Sequence, residues 1–327
     1  MKVQELRQLL STADRTLLEK AFVESYKQFS KAQKEELDLM IQQILEGKEE
    51  KLSTKKNAVE FGELEQSIND FLINAHAQNY YAPNRTIPKS QRPKWRFLVK
   101  NFIKELMNIP LESANYAKSV KLLTDLYLLM CEACNYYLFS TDDPFRSINW
   151  QQPDLFHIVV TRTFALGYTR ENISALLTYA ATGGLSRESL YTNQELVLIS
   201  ELKNSDVRYI AMEEAKKLVS YTQKKLAQSG LHREQRFYLE QAINELCDTM
   251  LLLSVKLAET AEFLPFYFAT NFEHSPEVIL YRALWLMDLL DEDELWLQIY
   301  EYGLKKKIHP RDELVKKYHK RIARVVS

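Results

Sequence analysis

The chain has 327 residues, a formal net charge of −1 and an apolar fraction of 46%. It is long enough for one large core, two domains or an elongated array. It holds only 7 glycines, with no Asn-Gly or Asp-Gly pair, and this excludes a hairpin-rich sheet protein. Charged residues at 27% exclude a disordered chain.

No segment holds the ~20 apolar residues of a spanning helix, and the longest uncharged run, Asn172 to Ser186, is rich in Thr, Ser and Gly. Met1-Lys2-Val3-Gln4-Glu5 has no apolar core, so no signal peptide is expected. Three cysteines fit a reducing cytoplasm without a disulfide framework. No membrane association is expected.

Leu17, Leu18, Ala21, Phe22, Tyr26 and Phe29 return at helical spacing, with Thr12 or Asp14 as the cap. Leu37, Met40, Ile41, Ile44 and Leu45 form a second stripe stopped by Gly47. Lys48 to Asn57 reads as a linker, and Phe61, Leu64, Ile68, Phe71, Leu72 and Ala75 mark a third helix. Pro83, Pro88 and Pro93 break the chain between Asn79 and Lys94. Trp95, Leu98, Val99, Phe102, Ile103 and Leu106 then give an apolar face, with Arg96, Lys100 and Lys104 on another. Ala114 to Leu138 is apolar around most of its circumference and predicts a buried helix. Ser140 to Pro153 reads as a loop.

Further helices are expected at Asp154–Leu166, Arg170–Thr182, Asn193–Lys203, Asp206–Gln228, Arg233–Ala261, Pro276–Leu290, Glu292–Lys306 and Pro310–Val326. Capping at Ser205-Asp206 and at Ser275-Pro276 starts two of them, and Gly183-Gly184 ends one. The fold class expected is all-α: an N-terminal helical bundle over 1–165 continuing into a solenoid-like array of helical hairpins over 166–327. No residue pattern recurs at fixed spacing, so an irregular bundle stands beside the array.

Two short stretches also carry a resemblance. Val99-Lys100-Asn101-Phe102-Ile103-Lys104, and Asp142-Asp143-Pro144-Phe145 after the long apolar helix, resemble an uncharacterised bacterial helical family, a domain of unknown function. Glu5-Leu6-Arg7-Gln8-Leu9-Leu10 and its following hairpin are similar too. The resemblance covers residues 1–165 and implies a helical fold in a bacterial cytoplasm, with no activity and no site residues.

Candidate chemistry is sparse. Cys131-Glu132-Ala133-Cys134 lacks the second ligand pair of a zinc site and lies inside an apolar helix. None of the six histidines stands in a metal-binding pair, although Asp154 and His157 lie one turn apart. Gly183-Gly184 lacks the Lys-Ser or Lys-Thr and the strand of a phosphate loop. Asp142 and Asp143 beside Arg146 suit acid–base work or a cation, and suit a turn before proline as well. No catalytic residue, cofactor or metal is therefore assigned.

Charge is the informative feature. Arg85, Lys89, Arg92, Lys94, Arg96, Lys100 and Lys104 fall in a span without acids, and residues 303–327 carry +7. The rest of the chain carries −15. Tyr80, Tyr81 and Trp95 interleave the first basic segment, an arrangement that stacks on bases while cations meet phosphates. The same basic residues also fit a solvated helix face, and a pI near 6.6 is not that of a dedicated nucleic-acid binder. The function expected is a non-catalytic cytoplasmic scaffold for a protein or peptide partner. Nucleic-acid binding through 79–104 and 303–327 is the alternative, and an enzyme of unidentified class the third reading. Oligomeric state is not legible.

Overall fold

A computed structural model describes residues 10–11, 13–29, 34, 38, 41, 61–273 and 275–325. The second stripe, the Gly47 stop, the 48–57 linker and Glu5 to Leu9 of the opening motif lie wholly or largely outside these residues. The chain forms two units, 1–60 and 61–327. Helix α1 (Arg15–Lys27) belongs to the first, and the Asp14 side chain caps it by accepting from the Thr16 N–H at 3.0 Å.

The second unit is all-helical among the described residues. It begins with α2 (Phe61–His76), α3 (Trp95–Met107) and the long α4 (Tyr116–Asn135). The single turn α5 (Pro144–Ser147) precedes α6 (Gln152–Ala165), α7 (Arg170–Ala181) and α8 (Tyr191–Glu201). Then come α9 (Ser205–Leu226), α10 (Arg233–Leu257), α11 (Thr260–Thr270), α12 (Pro276–Leu289), α13 (Asp293–Lys305) and α14 (Asp312–Val325). Side-chain caps fix several starts: Asn204 accepts from Val207 N–H and Ser275 from Val278 N–H. The α9 cap is thus Asn204, one residue before the expected Ser205.

Helix α4 is buried around most of its surface, as its sequence predicts. It packs on α2, α3 and α6. Helix α10 is the centre of the unit. Every residue from Ala242 to Ser254 is buried, and the helix packs on α7, α8, α9, α11 and α12. Sequential neighbours α9/α10, α10/α11, α12/α13 and α13/α14 pack as stacked hairpins do. The five helices around α10 are the three before it and the two after it in the chain, contacts compatible with a stacked array as well as with a bundle. The apolar core runs without a break through residue 165.

One expected helix is corrected. Residues 233–261 are not a single helix: the chain turns at Ala258, which adopts φ 58° and ψ 33°, and α11 follows. Nothing in a helix-favouring alanine signals this stop, and Pro265 within α11 hides the second helix from a sequence reading. A Cβ in the left-handed region costs roughly 1 kcal/mol. Ala258→Gly should therefore leave the fold intact and raise its stability by up to about 1 kcal/mol, read as the midpoint of urea unfolding.

Candidate functional site

A cleft of about 640 Å³ opens among α7, α8, α9 and α10, beside the residues that end α4. Helical spacing supplies its walls. Leu218, Tyr221, Thr222 and Lys225 form one face of α9, and Tyr238, Ala242 and Leu246 one face of α10. Tyr136 and Tyr191 complete a set of four tyrosines, and Gln235 and Gln241 bring amides. The lining contains no acid, and its one cation, Lys225, sits over the Tyr221 ring at 4.5 Å. Lys224 and Lys216 continue the positive face of α9 beyond the rim.

The wall at Thr182 and Gly183 belongs to a loop held in place by polar contacts. Tyr191 donates its hydroxyl to the Gly183 carbonyl at 2.6 Å, and burial pushes that phenol up to about 12. Gln152 donates to the Gly184 carbonyl at 3.1 Å and accepts from Ser186 N–H at 2.8 Å. Asp143 accepts from the Ser186 hydroxyl at 2.7 Å and from Arg187 N–H at 3.1 Å. Gly184 lies directly on α4: a Cβ there would stand 2.0 Å from the Cys131 carbonyl oxygen and 2.9 Å from Cys134 Cβ. The Cys-x-x-Cys pair is thus a seat of small side chains for this loop. Burial raises both thiols, Cys131 to about 12.

One turn below the cleft the same helices carry buried charge. Tyr191 and Glu195 are one turn apart on α8, as are Gln241 and Glu245 on α10. Arg282 of α12 reaches this layer, its Nη2 2.7 Å from Glu245, its Nη1 3.5 Å from Glu273, and its Nε bonded to Asp248. Tyr267 donates to the other Asp248 oxygen at 2.8 Å. Burial disfavours the Arg282 charge, but Asp248 and Glu245 outweigh it and raise its pKa. Burial likewise lifts Glu245 to about 7 and Asp248 to about 6 against the pull of Arg282. Glu195 is 0% exposed, and neither of its carboxylate oxygens has a hydrogen-bond partner. Burial first, then the charges of Glu245 and Asp248, push it well above the usual carboxylate range. Glu245, Asp248 and Glu273 share one close guanidinium, and burial of Glu195 beside them favours its protonated form.

The residues that the sequence singles out have varied fates. Tyr80 cannot stack on a base: it is 7% exposed and packs on Phe71 and Phe139 at 5.1 and 6.0 Å between ring centroids. Trp95 is likewise buried and stacks on Phe139 at 4.0 Å. Arg92 turns inward, donating to the carbonyls of Ile87 and Asn84 at 3.1 and 3.2 Å. Tyr81, Arg85, Lys89, Lys94, Arg96, Lys100 and Lys104 are exposed. The acid–base candidates have separate partners. Asp142 pairs with Arg187 at 3.1 Å, Asp143 caps α5, and His157 meets Glu201 at 3.1 Å. Asp154 lies in a shallow polar hollow with Arg146 and Trp150. Among the described residues no three His, Cys, Asp or Glu side chains converge as metal ligands.

The helices of the two basic segments pack on different partners. Helix α3 packs on α4, and α14 packs on α13. The second segment also spends much of its charge internally: Arg321 pairs with Asp288 and, at 2.7 Å, with Asp293, and lies over the Trp296 ring at 4.4 Å. Lys317 stands 3.6 Å from Asp288, and Arg311 3.2 Å from Glu277.

Fold and cleft together define an all-helical protein with an aromatic groove over a buried charged layer. No helix of the described residues is long and apolar enough to cross a membrane. No family model, no curated protein and no solved structure matches the chain.

Proposed function

We propose that this chain is a non-catalytic helical binding protein whose cleft takes a short apolar segment of a partner protein, flanked by an acidic residue. The cleft itself carries the reading. Four tyrosines offer rigid amphipathic surface at low entropy cost, two glutamine amides suit a peptide backbone, and an acid-free rim with Lys225 favours a carboxylate. A volume of about 640 Å³ suits two or three side chains. The buried layer beneath is a structural floor in this reading.

The setting belongs to the same proposal. Cys131, Cys134 and Cys247 are all free thiols, which supports a reducing compartment, and a bacterial cytoplasm is the setting proposed with it.

Selection from a displayed random-peptide library tests it. Enriched peptides should pair aromatic or branched side chains with Asp or Glu. Tyr238→Ala, at an exposed rim position, should weaken the best peptide at least ~10-fold by calorimetry. Lys225→Ala should weaken it severalfold, and Lys100→Ala on α3 not at all. Equal affinity across all variants would place the peptide elsewhere and defeat the proposal.

A further inference from the structure

The segment 79–104 presents cations and aromatic rings on a loop whose shape is already fixed. Asn84 organises it: its side-chain amide donates to the Asn79 and Ala82 carbonyls, both at 2.7 Å, and its Oδ1 accepts from Thr86 and Ile87 N–H. Arg92 adds its two inward bonds, and Gln78 donates to the Tyr137 carbonyl at 3.1 Å. Such a loop pays little ordering entropy when a ligand arrives. It delivers Arg85, Lys89 and Lys94 to solvent, and α3 continues the row with Arg96, Lys100 and Lys104 at successive turns, roughly 6 Å apart. Among the described residues none of these six is in an ion pair.

Cations that are neither paired nor buried keep their full attraction for an external anion. The aromatic groups decide which polyanion. Tyr81 and Tyr137 stack on each other at 5.5 Å, and they are 44% and 68% exposed. Phe97 is 57% exposed, with the Arg96 guanidinium over its ring at 5.1 Å. Open ring faces beside a row of cations have no use for duplex DNA, whose bases are already stacked, and suit splayed bases.

We infer that the Tyr81–Tyr137 pair and the Arg85–Lys104 row form a binding surface for single-stranded nucleic acid. The phosphates lie along the cations and the bases stack on the tyrosines. This surface is separate from the cleft and does not depend on it. Base edges find few fixed polar groups here, so recognition is insensitive to sequence.

Fluorescence anisotropy of labelled oligo-dT and oligo-U of about 15 nucleotides, with the full chain, tests this. Binding is expected at ~50 mM salt and should weaken on the order of 100-fold by ~200 mM, the slope for about five phosphate contacts. Lys89→Glu with Lys94→Glu should cost at least ~10-fold and make the salt slope shallower. Tyr137→Ala should cost at least ~5-fold with the slope unchanged, because it removes stacking and no charge. All three positions are exposed, so the variants should keep the wild-type melting temperature. Tyr238→Ala in the cleft should bind strands normally, which separates this surface from the cleft. No binding at ~50 mM salt overturns the inference. So does a preference for duplex with Tyr137→Ala silent, or binding to anionic lipid vesicles but not to strands.

Discussion

Arg282→Met is expected to cost on the order of 3–5 kcal/mol at pH 7 and much less at pH 5. Methionine fills most of the space of the arginine stem, so the loss is electrostatic. Glu245 and Asp248 are 5% and 0% exposed, and without the guanidinium they would be buried charges with no counter-charge. Lowering the pH protonates them and removes that penalty. The wild-type chain should show a milder form of the same dependence. The folded-state pKa values of Asp248, Glu245 and Glu195 lie above their ordinary values. The stability tied to these groups is therefore complete at about pH 4. It falls as pH rises, through about 6 for Asp248 and about 7 for Glu245, and Glu195, which burial also raises, adds to the same loss. Each tenfold change in proton affinity is worth about 1.4 kcal/mol. Glu195→Gln should flatten the fall of stability with rising pH, since an amide keeps the shape and never ionises. Urea unfolding of the three proteins at pH 5, 7 and 8.5 would show it; parallel pH curves would refute the shared-proton account.

The second large effect falls on Gly184. Gly184→Ala should cost about 3 kcal/mol or more, because the new Cβ meets a backbone oxygen at 2.0 Å that cannot rotate away. Either the 182–190 loop lifts off α4 or α4 shifts. Lifting of the loop breaks the Gln152 and Asp143 contacts and displaces the Gly183 wall of the cleft. Gly62→Ala is the control: its Cβ meets nothing within 4 Å near the start of α2, and it should stabilise by roughly 0.5–1 kcal/mol. Calorimetric melting of both variants checks the pair. Similar melting points would contradict the packing described for Gly184.

The helices were legible where periodicity and punctuation agree. The three prolines between Asn79 and Lys94, the Ser275-Pro276 start and the apolar 116–135 helix all follow local rules that tertiary packing does not override. Ala258 and Pro265 mislead because each breaks its rule: an alanine ends a helix and a proline sits inside one. The cleft was not legible, since its tyrosines come from four separate parts of the chain and only packing gathers them. The charged layer left a trace that spacing alone exposes. Glu245 and Asp248 stand one turn apart within the apolar run Ala242 to Leu253, where carboxylates require a buried partner. That partner, Arg282, is 34 residues from Asp248. Tyr80 and Tyr81 show the limit of composition. They are adjacent, yet the left-handed turn at Gln78, φ 57°, leads into a loop that sends one ring into the core and the other to solvent.

Site-specific photo-crosslinking from the cleft tests the central claim most directly. A benzophenone side chain at position 238, on the exposed rim of α10, should attach to a library-selected acidic–apolar peptide at its apolar residues. The same group at exposed position 97 should not. Equal labelling from both positions, or labelling from 97 alone, would contradict the assignment of the cleft as the partner site.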